Sequence, residues 1–330
     1  MKTFHLKHIH LVLISAILFI TQSCKPPIPG SWKNERISEG QRNDFHKLNA
    51  EVLKNLKNND VKAFKMLFSK DMNNRRNDRP VELLSIQLKD SSYALQDEYY
   101  VVHKYKDTDT VAISGHDINR YGLIYPYEAQ QMYFAFFLPK KSDNKFMITL
   151  AYAKFDYGWK IVAMTNSPYS INGKTGPELY KLGREQYDKK QYQAALNSLS
   201  LAVTLMKPSE YIQYPDAGDA ANLYKTVTDE VNAKYHYPIV LRQLATGPMI
   251  LRVYTKTTDE GTFPLIYYMT HFELKDTTEV KKENIQIRAV VDKLMPGLSD
   301  GNKYIYYSAF NKQPTGYVTV DHFDMTVKGR

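Results

Sequence analysis

The sequence predicts an α+β protein of three folded segments behind an N-terminal targeting segment. Three observations predict it. Within residues 44–172 the apolar spacing starts helical and switches to strand alternation. Over 173–235 it stays helical, and over 236–330 strand-like and helical stretches are mixed. The 330 residues suffice for two or three cores.

In the first segment Phe45, Leu48, Val52, Leu53 and Leu56 share one helix face. Asn58-Asn59-Asp60 breaks that helix, and Asp60 can cap a second one through Val61, Phe64, Leu67 and Phe68. Asp78-Arg79-Pro80 opens a third helix through Leu84 and Leu88. Strands are expected over 93–105, 110–114, 130–138, 146–155 and 159–164. Phe146, Ile148, Leu150 and Tyr152 alternate with Met147, Thr149, Ala151 and Ala153, so both faces are apolar and this strand belongs in the middle of a sheet. Asp156-Tyr157-Gly158 signals a hairpin.

This order, with Leu53-Lys54-Asn55-Leu56-Lys57-Asn58-Asn59-Asp60 before the second helix and Gly158-Trp159-Lys160-Ile161-Val162 at the close, resembles the nuclear transport factor 2-like cone domain. The resemblance implies helices against a curved sheet over 44–172. Its superfamily holds enzymes, binders and accessory domains, so it leaves function open.

Residues 173–235 resemble one tetratricopeptide repeat. Leu179, Leu182 and Gly183 fall at first-helix positions, Ala195, Leu199 and Ala202 at second-helix positions, and Tyr187 and Tyr192 at aromatic places. Leu179 replaces the usual tryptophan, Gln186 stands in the tyrosine slot, Leu199 replaces a phenylalanine and Pro208 comes one place late. A third helix carries Leu223, Tyr224, Val227 and Val231 on one face. A single repeat cannot bury its apolar face alone, so the segment is a connector packed between domains or a peptide-capturing element. In 236–330 strands are expected over 249–255, 264–272, 303–310 and 317–327. The turns are Asp259-Glu260-Gly261 and Ser299-Asp300-Gly301-Asn302, and a helix through Ile287, Val290, Val291 and Leu294 closes at Pro296-Gly297. This last domain resembles no family.

Residues 1–23 have the layout of a secretory signal: Lys2 and Lys7, then the apolar run 11–20, then Thr21-Gln22-Ser23 before Cys24. Ten apolar residues are half of the roughly 20 that a membrane-spanning helix needs. The segment resembles the signal of bacterial lipoproteins, which implies acylation of Cys24, the one cysteine in the chain. Plain secretion with a free thiol is the alternative. Residues 24–43, rich in proline and glycine, read as a tether. Lys25 follows Cys24 and no acid appears before Glu35; by the same resemblance the outer membrane is favoured over the inner, on its periplasmic face.

Removing 1–23 takes away two lysines and no acid, so the net charge falls from +9 to +7. The basic residues are spread rather than striped, which speaks against nucleic acid as a partner. The 26 tyrosines suit half-wet sheets. There is no phosphate loop, H-E-x-x-H, C-x-x-C or calcium loop, and His46, His103, His116, His236, His271 and His322 lack metal-ligand spacing, so no metal or cofactor is expected.

The one clustered set of candidates is His116, Asp117 and Arg120, behind Ser114-Gly115. A polar turn, a set of cavity ligand contacts and an acid–base site are all open readings. Tyr99, Tyr100, Tyr105, Tyr127 and Tyr133 line a cavity or pack strands, and Trp159 is core or ligand platform. The expectation is a lipid-anchored cell-envelope protein acting as a non-catalytic binding or assembly module on an envelope protein partner. The alternatives are a cone-cavity small-molecule binder or hydrolase-like enzyme, and a structural spacer.

Overall fold

The computed structural model describes residues 27–74, 78–90, 92–113, 116–315 and 320–330. In chain order these form β1 (Gly30–Lys33), α1 (Glu39–Lys57), α2 (Val61–Lys65), α3 (Lys70–Asn73), α4 (Asp78–Asp90), β2 (Tyr93–Val102), β3 (Asp109–Val111), β4 (Gly122–Tyr125), β5 (Gln131–Pro139), β6 (Lys145–Phe155), β7 (Gly158–Ile171) and β8 (Lys174–Thr175). Then come α5 (Gly176–Asp188), α6 (Tyr192–Leu205), β9 (Ile212–Gln213), α7 (Ala217–Lys234), β10 (Ile239–Val240), β11 (Met249–Thr258), β12 (Gly261–Met269), α8 (Thr277–Leu294), β13 (Tyr304–Phe310) and β14 (His322–Lys328). The protein is α+β.

The first sheet is antiparallel in the order β1-β2-β5-β6-β7-β8. Bulges at Leu95/Asp97, Lys145/Phe146 and Ala151/Tyr152 let it curl. Helices α1–α4 cover one face, where Phe45, Val52, Leu56 and Phe64 meet Tyr133, Ile148, Tyr152 and Ile161. The other face carries Tyr99, Phe134, Phe136 and Met147. It is covered by a small sheet, β3-β4-β9, and by Met206, Tyr211, Tyr214 and Ala220 of the helical segment. The strand expected to lie centrally, β6, does so, with both faces buried over Met147–Ala153.

The helical segment begins at a capping box, where the Glu178 carboxylate accepts the Thr175 N–H at 2.8 Å. Helices α5 and α6 touch at Gly183, where an added Cβ would lie 2.6 Å from Leu199 Cγ. Glycine is there for close approach, as the repeat pattern implies. The segment's other side, through Ala195, Leu199, Val227 and Val231, joins the C-terminal core. It is therefore a connector shared by two cores.

The C-terminal sheet runs β10-β11-β12-β13-β14. Strands β12 and β13 are parallel, and α8, capped by Asp276 accepting from the Glu279 N–H at 3.2 Å, makes the crossover. The two sheets meet at Asn144, which donates to the Asp259 carbonyl, and at Asn172.

Two differences from expectation have physical causes. The expected tether of 24–43 holds β1 and the first turn of α1; Gly30-Ser31-Trp32-Lys33 pairs with Val102–Tyr99 despite the prolines before it. The polar β3 leaves the main sheet and pairs with β4, a strand too short to register in the apolar pattern. Of the two readings of Trp159, the structure gives core: the half-buried ring packs edge-on to Phe45 at 5.1 Å between ring centroids. Cys24, Ser114-Gly115 and part of the strand expected over 317–327 lie outside the described residues. Among the described residues no helix is long and apolar enough to cross a membrane.

Candidate binding cleft

Strand β2 carries adjacent carboxylates, Asp97 and Glu98. Strand side chains alternate, so the two point to opposite faces. Asn34 ties both down. Its Nδ2 donates to Asp97 Oδ1 at 2.9 Å, and its Oδ1 accepts the Glu98 N–H at 2.8 Å. Asn34 sits at φ +50°, a conformation asparagine tolerates.

On the helix side Glu98 is only 2% exposed. Its Oε1 meets Arg42 Nε at 3.1 Å and His46 Nε2 at 3.0 Å. Its Oε2 accepts the Tyr133 hydroxyl at 2.8 Å. Asn49 Nδ2 donates to that hydroxyl at 2.7 Å, and Tyr152 donates to Asn49 Oδ1 at 2.9 Å. Burial first, then the Glu98 charge, pushes the Tyr133 hydroxyl well above the ordinary tyrosine pKa. Phe45 stacks on Tyr133 at 4.0 Å. The space between helices and sheet is thus filled by rings and a satisfied polar chain.

The opposite face keeps a cleft beside the small sheet that covers it. A cavity of about 970 Å³ lies against Lys33, Asp97, Tyr99, Arg120, Tyr121 and Tyr169, with Phe136 and Met147 at its floor side. That volume is at the upper end for small-ligand sites. Asp97 Oδ2 meets Lys33 Nζ at 3.0 Å and accepts the Tyr121 hydroxyl at 2.6 Å. Lys33 Nζ also lies 5.3 Å from the Tyr99 ring centre and 5.2 Å from that of Tyr121. Burial alone would lower the Lys33 pKa, but the Asp97 charge, Tyr99 and the hydrogen bonds to both together outweigh it and hold the ammonium above its usual value. Burial, then Asp97, pushes Tyr121 far up, and burial lifts Tyr169 to about 12.

The sequence candidates fall beside this cleft unevenly. Asp117 Oδ1 accepts the Asn119 N–H at 2.6 Å, and the Arg120 N–H returns to the Asp117 carbonyl at 3.1 Å, so 117–120 is a polar turn. The turn is pinned by Thr175, whose hydroxyl donates to Asn119 Oδ1 at 2.5 Å. Asp117 and Arg120 line the cleft; His116 is exposed and does not. The three therefore form no acid–base set. Of the tyrosines, Tyr99 lines the cleft, Tyr100 and Tyr133 pack under the helices, Tyr127 packs on His103, and Tyr105 is 70% exposed.

Lys33, Asp97, Tyr121 and Tyr169 escaped the sequence reading. The alternation of Asp97 and Tyr99 against Glu98 and Tyr100 was the available signal; the partners lie 24 residues away for Tyr121 and 64 for Lys33, which no local pattern links. Among the described residues no three His, Cys, Asp or Glu side chains gather as a metal site. No protein-family model, curated protein or solved structure matches the chain.

Lys33 is kept protonated and Tyr121 is kept neutral, so neither serves as a base near neutral pH. Asp97 is taken up by Lys33, Asn34 and Tyr121. The lining carries three cations (Lys33, Arg36, Arg120) and three carboxylates (Glu35, Asp97, Asp117), so it favours no net ligand charge.

Proposed function

We propose that the protein is a lipid-anchored cell-envelope binding module, with a first domain of the nuclear transport factor 2-like kind, whose ligand occupies the cleft around Lys33, Asp97, Arg120 and Tyr169. Acylated Cys24 holds it to the outer membrane on the periplasmic face, where an envelope protein is its partner. One observation carries the non-catalytic part: the Asp97 carboxylate is closed off by Lys33 Nζ at 3.0 Å and the Tyr121 hydroxyl at 2.6 Å. The balanced charge and the tyrosine walls suit a polar ligand with donors and acceptors and no large net charge, such as a peptide or sugar segment.

The test compares the full-length protein isolated from its native membrane with Arg120→Glu and Tyr169→Ala variants of normal abundance. Material bound to wild type and lost from both variants supports the cleft. Equal retention by all three overturns it.

An assembly role is favoured by a second observation. On the C-terminal sheet Tyr254 is 47% exposed beside Tyr267 at 5.1 Å, and Lys256 lies 4.9 Å from the Tyr306 ring. Tyrosines are enriched at protein contact surfaces. If this face holds the partner, Tyr254→Glu releases it and leaves cleft occupancy unchanged.

A further inference from the structure

The first sheet has two unlike ends. At one end the turn before β6 and the end of β7 meet the C-terminal domain, through Asn144 to Asp259 and Asn172 to Thr262. Register identifies what shares the other end. Gly30 pairs with Val102, Val102 with Gln131, Met132 with Ala153 and Phe155 with Gly158. The start of β1, the loop after β2 and the β6–β7 hairpin therefore lie side by side. Four strand spacings of roughly 4.8 Å separate the outermost of them, about 19 Å in all.

That end exposes apolar side chains and lysines at its surface. Ile28 is 78% exposed, Tyr105 70% and Tyr157 42%, which places all three among the largest exposed apolar side chains of the described residues. Lys104, Lys106 and Lys154 stand exposed among them, and no described carboxylate pairs with them. Two exposed carboxylates stand close by, each tied to its own turn: Asp107 accepts the Thr108 N–H at 2.7 Å and Asp156 the Tyr157 N–H at 2.9 Å. Exposed aromatic rings beside lysines match the chemistry of a bilayer's headgroup layer.

Chain length points the same way. Gly30 is only six steps along the chain from Cys24. At up to about 3.4 Å each they span no more than about 20 Å. An acylated Cys24 would bring this end, and not the C-terminal domain, against the membrane.

We infer that the sheet end formed by Ile28, Lys104, Tyr105, Lys106, Lys154 and Tyr157 is a membrane-contact surface that docks on anionic phospholipid. It rests on the lipid-anchor reading for its orientation, and its test does not need the anchor. The C-terminal domain then projects away from the bilayer.

Every described element begins at or after Gly30, so an unlipidated chain starting at Lys25 retains all of them. Its binding is measured by sedimentation with phosphatidylglycerol–phosphatidylethanolamine vesicles and with phosphatidylcholine vesicles. Binding to the anionic vesicles, weakened by salt, is expected. Lys104→Glu/Lys106→Glu should reduce it by about 30-fold or more, since each surface lysine contributes roughly a factor of five. Lys189→Glu/Lys225→Glu, just after α5 and on α7, should leave it unchanged. Tyr105→Ala should weaken what remains at high salt. No binding to anionic vesicles, or equal loss in both charge-reversed variants, overturns the inference. Acyl labelling of Cys24 in the full-length protein reports separately on the anchor, so the two failures are distinguishable.

Discussion

Asn172 holds the backbone of Thr262 with both arms of its side-chain amide. Nδ2 donates to the Thr262 carbonyl at 2.7 Å, and Oδ1 accepts the Thr262 N–H at 2.9 Å. The residue sits at φ +54°, where asparagine is tolerated and most side chains are strained. This clamp joins the end of the first sheet to the C-terminal sheet. Asn172→Ala removes both bonds, leaves a half-buried N–H unpaired and adds backbone strain. A loss of about 2–3 kcal/mol is expected in urea unfolding, with Asn172→Asp losing less because it keeps the acceptor.

Gly183 and Leu199 set the spacing of α5 and α6. Gly183→Ala forces a methyl group into the Leu199 side chain and should cost about 1–3 kcal/mol. Leu199→Ala alone should cost about 2–5 kcal/mol by opening a cavity. In the double variant the new methyl enters that cavity, so its cost should fall below the sum of the singles. Additive costs would mean that the two side chains do not share this space.

His103 is buried between Tyr125 and Tyr127, at 5.1 and 5.0 Å between ring centres, and neither ring nitrogen has a hydrogen-bond partner. Burial lowers its pKa, partly offset by Asp109. The folded chain therefore resists protonation that the unfolded chain accepts near pH 6.5. The sign follows: the unfolded state binds more protons below that pH, so stability falls as pH drops from about 6.5 toward the lowered folded value. His103→Phe should flatten that part of the stability–pH curve. An unchanged slope would assign the dependence to other groups.

Tyr133→Phe removes the donor to Glu98 Oε2 and the acceptor of Asn49 Nδ2. Both partners are buried, at 2% and 4% exposure, so water cannot replace the lost bonds. A destabilisation of about 2–3 kcal/mol is expected by chemical denaturation. Cleft occupancy should not change, since Tyr133 lies on the opposite face of the sheet.

The elements with strong periodicity were legible in the sequence. The helix through Phe45 and Leu56, the central β6, the Gly158 hairpin and the Gly183 contact all follow from spacing or from residues with one structural use. The short β1 was hidden because three prolines and a glycine precede or begin it, and its pairing with β2 is a long-range event. The cleft was half legible. Asp117 and Arg120 were visible as a cluster, but Lys33 and Asp97 meet only through strand pairing across 64 positions. His116 was misleading for a local reason: in a turn, neighbours in sequence point apart.

Acylation of Cys24 underlies both the proposed location and the orientation of the membrane-contact end. The measurement that tests it most directly is the mass of the N-terminal peptide of the protein purified from its native membrane. The predicted peptide starts at Cys24 and carries acyl chains, and a Cys24→Ser variant remains an unprocessed, unlabelled precursor. A peptide with a free Cys24 thiol, or equal acyl labelling of the Cys24→Ser variant, would contradict it.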